Sequence, residues 1–215
     1  MQKSQNSELV LDVGNQKLTF YRIELEFSEF RLEDVFAHKN NKTVAETLAH
    51  HRYQSLRPLI IDMYPAMMGV PLGSFLIGLK RSGYLTYRRF LNPYGDNVFC
   101  RFAVRSDNLT QRKGVYCFCA GDDIVYVGRS HDPIQKRINQ GYGSIHPKNC
   151  FLDGQATNCH VNALIAAEPL AISCFVCPMA KDCKIDEHER LLIRKLNPDW
   201  NIALKQGSPV ANVPK

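Results

Sequence analysis

The sequence predicts an α+β protein in two parts. Three observations carry this: strand-like runs on either side of the turn sequences at 13–16 and 120–123, helical apolar spacing from Leu56 to Leu79, and an apolar helical stripe before Pro198. With 215 residues, 45% hydrophobic and 22% charged, the chain can bury its own core, and collagen-like, coiled-coil and disordered classes are excluded. The apolar run at residues 59–61 soon meets Asp62 and Pro65, and no run approaches the roughly 20 residues a bilayer requires. Membrane partners are therefore not expected. Residues 1–8 are polar and lack a secretory pattern, so a cytoplasmic location is expected, with the eight cysteines as thiols or metal ligands. A net charge of +6 is compatible with a polyanionic partner.

Residues 9–30 alternate on either side of Val13-Gly14-Asn15-Gln16 and read as a strand hairpin. Residues 32–51 read as one or two short helices. The spacing of Leu56, Leu59, Ile60 and Met63 predicts a helix within 52–68. Pro71 opens a second, with Leu72, Phe75, Leu76 and Leu79 on one face and Gly83 placed to end it. Residues 84–89 and 98–104 are strand-like and flank the turn sequence 92–97. Two helices followed by such a hairpin predict a winged-helix-like arrangement, in which Lys80, Arg81, Arg88 and Arg89 contact DNA phosphates. The same residues also suit a helix C-terminus and strands with no DNA present. The polar stretch 105–113 marks a boundary, giving an N-terminal domain over 1–106, a second over 107–205 and a tail over 206–215.

In the second part, strand runs carrying Tyr116 and Tyr126 flank the turn Ala120-Gly121-Asp122-Asp123. Asp132-Pro133 predicts a helix start, with Ile134 and Ile138 facing inward, Arg137 at the margin of their stripe and Gly141 as the stop. Residues 171–176 form a third strand. Asp186 is expected to cap a helix running to Asn197, in which Glu189 shares the apolar face of Leu192 and Ile193 while Glu187 does not. A carboxylate on an apolar face is costly unless it is paired or holds a metal, which singles out Glu189.

These motifs resemble the GIY-YIG nuclease superfamily. The tripeptides Gly114-Val115-Tyr116 and Tyr126-Val127-Gly128 stand ten residues apart, tyrosine to tyrosine, the helix arginine falls on Arg137, and Glu189 is followed by Pro198 and Asn201. The resemblance covers residues 113–204. It implies a small three-stranded antiparallel sheet flanked by helices, with one divalent cation, Mg2+, at Glu189. Arg137 stands one residue farther from Tyr126 than the family pattern has it. The position one turn beyond holds Gly141, leaving Tyr142, His131 or His146 as auxiliary groups, the histidines reading equally as exposed loop residues.

Phosphodiester hydrolysis needs a nucleophilic water, charge stabilisation and help for the leaving oxygen. Glu189 would hold Mg2+, Arg137 would clamp a phosphate oxygen, and Asn201 would orient one of the reacting groups. Tyr116 or Tyr126 would position the water and accept its proton, with a phenol pKa lowered from about 10. Each tyrosine taken alone equally suits sheet packing. The function expected is a metal-dependent endonuclease acting on double-stranded DNA, of restriction or mobile-element type. The alternatives are a non-catalytic DNA-binding module on the same scaffold and a structure-specific repair nuclease. Cys174, Cys177, Cys183 and His188 offer zinc-like spacing, but Cys174 lies within a strand and no second matching pair follows, so structural zinc is not expected. The amides Asn149, Gln155, Asn158 and Asn162 either satisfy loop backbone or reach adenine edges.

Overall fold

The computed structural model describes residues 7–202, so the expected tail at 206–215 lies outside the described residues. The chain is mixed α+β, and its segments group into two interleaved compact units. Within the described residues, one unit takes 7–26, 102–140 and 168–202, and the other takes Phe27–Arg101 and Gly141–Ala167. These units do not follow the expected division at 106/107. The reason is strand pairing: the N-terminal hairpin joins the sheet built from the second half of the chain.

That hairpin is β1 (Glu8–Val13) and β2 (Gln16–Ile23), joined at Gly14-Asn15. Gly14 takes a φ of 58°, a left-handed value that glycine adopts without steric cost. β3 (Leu25–Leu32) and β4 (Phe99–Val104) pair in a separate two-stranded sheet, and the chain passes from one unit to the other within each of them. β5 (Gly114–Ala120) and β6 (Asp123–Ser130) form the second expected hairpin, and β7 (Ile172–Pro178) pairs with β5. Because β2 pairs with β7, with Tyr21 opposite Val176, the sheet has five antiparallel strands in the order β1-β2-β7-β5-β6 instead of the three expected.

The helices are α1 (Val44–Leu48), α2 (Arg57–Met63), α3 (Leu72–Arg81), α4 (Ile134–Arg137), α5 (Ala156–Ala167) and α6 (Asp182–Leu196). Thr43 and Glu46 form a capping box at the start of α1. Leu72, Phe75, Leu76 and Leu79 are the buried face of α3, which Gly83 ends at a φ of 79°. Four expectations about these elements need correction. Residues 85–90 form a 3-10 turn instead of a strand: Tyr87 and Phe90, three apart, are buried, while Tyr84 and Leu85 are exposed. The expected wing is therefore not a hairpin, since β4 pairs with β3. The helix opened by Pro133 ends at Arg137 and continues as a π turn over Ile138–Tyr142. Finally, α6 begins at Asp182, a turn earlier than expected, so Asp186 lies within the helix and its carboxylate meets His131 and Arg129 instead of capping.

In the first unit, α6 covers one face of the sheet, with Ile185, Leu192 and Ile193 packed on Val115, Cys117, Cys119, Val127 and Phe175. The second unit has its own core, including Phe36, Tyr53, Ile60, Leu76, Phe90 and Phe151. At its margin the Tyr53 hydroxyl donates to Asp153 at 2.5 Å. Burial and the neighbouring carboxylate push the Tyr53 phenol up. For Asp153, burial opposes ionisation, but the Tyr53 hydrogen bond and Lys39 outweigh it and hold the carboxyl below its usual range. A carboxyl whose folded pKa is depressed contributes stability that is present at neutral pH and lost as pH falls through the carboxylate range. Asp153→Asn should accordingly flatten the acid limb of the melting-temperature profile and leave the part around neutral pH parallel to wild type.

Candidate active site and basic surface

The register of β5 and β6 decides where the two tyrosines point. Tyr116 stands opposite Gly128 and Phe118 opposite Tyr126, so both phenols lie on the same face of the sheet. Their ring centroids are 6.4 Å apart, and Phe118 lies 6.1 Å from each. Both tyrosines are buried. Gly128 makes the arrangement possible: a Cβ there would fall 2.6 Å from Cζ and Oη of Tyr116.

The opposite face holds Glu189. In β6, Val127 and Arg129 point away from the tyrosines, and Val127 packs in the core that α6 covers. Asp182, Asp186 and Glu189, at i, i+4 and i+7, form one stripe of α6. Arg129 Nη1 meets Asp186 at 2.9 Å and Glu189 at 3.1 Å. His131 reaches Asp186 at 2.8 Å and Asp182 at 3.4 Å, and Lys113 meets Asp182 at 2.6 Å. The Glu189 side chain is 13% exposed. Burial raises its pKa, and the attraction of Arg129 does not fully offset that effect. Glu187, in contrast, is exposed and bonded to Lys184 at 2.7 Å. The helix-face reading of these two acids thus matches their environments. Sequence reading missed Arg129 as Glu189's partner; the available signal was the two-residue spacing of Arg129 and His131 beside a three-acid helical stripe.

The phenol of Tyr116 and the carboxylate of Glu189 meet β6 at consecutive residues, Gly128 and Arg129, from opposite faces. β6 is an edge strand, and the segment after α6 covers its outer side. Trp200 N–H donates to Val125 O at 2.9 Å. The Asn201 amide accepts from Val127 N–H at 2.9 Å and donates to Val127 O at 2.8 Å. Asn201 therefore fixes the strand that carries Tyr126 and Gly128, a positioning role achieved through backbone. Asn201→Ala should leave both Val127 groups unpaired and cost about 1–3 kcal/mol per unsatisfied buried group, measurable as lost stability in urea. An unchanged midpoint would show that the edge does not depend on the clamp.

Arg137 lies between Ile134 and Ile138, partly exposed at the margin of their buried stripe, as expected. Tyr142 belongs to the second unit, where it is buried and its carbonyl accepts from Asn162 Nδ2 at 2.5 Å. His146 caps the turn Pro147–Cys150. The amide-rich stretch is spent largely on backbone: Asn162 bonds both the N–H and the carbonyl of Cys100, Asn149 accepts from His146 N–H, and Asn158 bonds Gln155. Cys174 and Cys177 point to opposite faces of β7, opposite Phe118 and Val115, while His188 bonds Lys184 O and Gln16.

The four basic residues expected to contact DNA divide into two kinds. Lys80 Nζ bridges Asp34 at 2.6 Å and Asp96 at 2.5 Å, and Arg88 bonds the Tyr87 hydroxyl at 3.1 Å. Partial burial alone would lower the Lys80 pKa, but the two carboxylates outweigh it and raise it. Arg81 and Arg89 are exposed. Lys80→Ala should thus destabilise by about 1–3 kcal/mol, the range for a charged hydrogen-bonded group, whereas Arg81→Ala stays within about 0.5 kcal/mol. Equal melting temperatures for the two variants would contradict this division.

A single protein carboxylate with waters and phosphate oxygens satisfies Mg2+. Glu189 fits that requirement, with Arg129 as the cation that already neutralises it. Among the described residues, no three His, Cys, Asp or Glu side chains converge as a metal-ligand set. None of the described helices is long and apolar enough to cross a membrane. No protein-family model, curated protein or solved structure matches the chain.

Proposed function

We propose that the chain is a metal-dependent endonuclease on the GIY-YIG plan, hydrolysing phosphodiester bonds in double-stranded DNA. The observation that carries the reading is the pairing of Tyr116 and Tyr126 on one sheet face, with Gly128 leaving room for the first phenol. The order of elements supports it as well: a tyrosine hairpin, a short helix with Arg137, a third strand, a helix with Glu189, and a return to β6 through Asn201.

In this reading Arg137 orients a phosphate oxygen through its planar fork, whereas the buried phenols of Tyr116 and Tyr126 lie on the sheet face opposite Glu189, so positioning the water of its metal does not fall to them. Glu189 is the carboxylate that would hold Mg2+, and Asn201 keeps β6 in register. When bound, the cation would supply Lewis-acid stabilisation of the phosphoryl oxygens. Arg81 and Arg89 are the cations offered to DNA backbone. A restriction or mobile-element role and cytoplasmic action belong to the same proposal. The second reading, a non-catalytic DNA-binding module, is favoured by one observation: Arg129 already occupies Glu189 at 3.1 Å.

Incubation of the purified chain with plasmid and linear duplex DNA in Mg2+, then in EDTA, with the ends mapped, separates the two. Cleavage in Mg2+ alone supports the nuclease. Duplex that is bound but intact in both conditions supports the module.

A further inference from the structure

The helix α5 buries amides and leaves an apolar stripe outside. Its buried side carries two amides, Asn158 and Asn162, beside Cys159, Val161 and Ile165. The amides are accommodated because Asn162 pairs with the Cys100 backbone and Asn158 with Gln155. The opposite stripe, His160, Ala163, Leu164 and Ala167 at i, i+3, i+4 and i+7, is apolar apart from the imidazole, yet these residues are half-buried or exposed. An amphipathic helix ordinarily shows the reverse distribution. The outer stripe floors a cleft of about 490 Å³, which Tyr94, Asn97, Val98 and Arg31 complete. The volume falls within the range of small-ligand sites.

Three features of the lining specify a ligand. The rings of Tyr94 and His160 lie 4.5 Å apart, tilted by 43°, and present an aromatic wall. Ala163 and Ala167 leave a flat floor on which a planar ring can lie close to the helix. Arg31 also lines the cleft, with its side chain 73% exposed and its ion pair made to an exposed Glu33. Such an exposed pair is weak and yields readily to a better anion. Aromatic walls bind bases by stacking without regard to sequence, and guanidinium groups recognise phosphate with a bidentate fork.

We propose that this cleft binds a nucleobase carrying a phosphate, the base stacked against Tyr94 and His160 over the alanine floor and the phosphate held by Arg31. The proposal goes beyond the nuclease reading: every residue it uses lies in the second unit, and its test reads binding without cleavage.

Calorimetric titration of the full chain in EDTA, with adenosine 5′-monophosphate and then adenosine as probes, provides the test. Arg31→Ala should weaken the monophosphate about tenfold or more, the effect of losing a charge-assisted hydrogen bond, and leave adenosine unchanged. His160→Ala should weaken both probes by about fivefold or more through lost stacking. Ala167→Trp, at an exposed position, fills the cleft and should abolish both at an unaltered melting temperature. A short 5′-phosphorylated oligodeoxyadenylate then identifies the source. Competition with the monophosphate assigns the base to a strand, whereas monophosphate binding without competition assigns it to a free nucleotide, and either result upholds the ligand chemistry. No monophosphate binding at millimolar concentration, or binding that survives Ala167→Trp unchanged, overturns the proposal even where Mg2+-dependent cleavage is found.

Discussion

Glu189→Gln should abolish Mg2+-dependent cleavage while duplex binding persists. Glutamine keeps the size of the side chain and a hydrogen-bond acceptor for Arg129 but removes the charge that a divalent cation requires. Stabilisation of phosphoryl charge by a metal is worth several kcal/mol, and each 1.4 kcal/mol or so is tenfold in rate, so a loss of about a thousandfold or more is expected. Glu187→Gln should retain full activity, because Glu187 is exposed and its carboxylate serves Lys184. Arg129→Gln adds a separate arm. It removes the cation competing for Glu189, at 3.1 Å in the structure, and should lower the Mg2+ concentration giving half-maximal cleavage. Wild-type cleavage by Glu189→Gln would reduce Glu189 to the structural partner of Arg129.

Much of this site was legible because its signals are local. Gly14-Asn15 and Gly121-Asp122 announce hairpins and the faces of α6 follow from its apolar spacing, but the register of β5 on β6 was not legible, because a shift between Phe118 and Cys119 is what sets Tyr126 opposite Phe118. The partner of Glu189 was not legible, because Arg129 and α6 meet only through the stacking of helix on sheet. The role of Asn201 was half visible. Its position past Pro198 marked it as a site residue, but its use as a backbone clamp on Val127 depends on β6 being the edge strand.

The division into two parts misled for a related reason. A hairpin at the N-terminus gives no local sign of its partner, and the pairing of β2 with β7 spans most of the chain. The segment 84–90 failed differently: Tyr84, Tyr87 and Phe90 suit a strand by propensity, yet burial of Tyr87 and Phe90 at a spacing of three favours a turn. Lys80 and Arg88 were legible as basic but not as partners of Asp34 and Asp96, which are separated from them in sequence by loops and turns.

Gly128→Ala should be damaging in the wild-type chain and harmless once Tyr116 is shortened. The added Cβ would sit 2.6 Å from the end of the Tyr116 ring, and that ring is fully buried, so it cannot swing into solvent. Overpacking of this kind costs about 1–3 kcal/mol, and each kcal/mol lowers the melting temperature of a chain this long by about 2–4 °C. In a Tyr116→Val background the clash is gone, and alanine is favoured over glycine inside a strand by roughly 0.5–1 kcal/mol, so the same substitution becomes neutral or stabilising. Tyr116→Val itself destabilises by leaving a cavity, which is why the comparison is made within each background. A Gly128→Ala effect of the same sign and size in both backgrounds would show that the glycine serves the backbone of β6 and not the tyrosine opposite it.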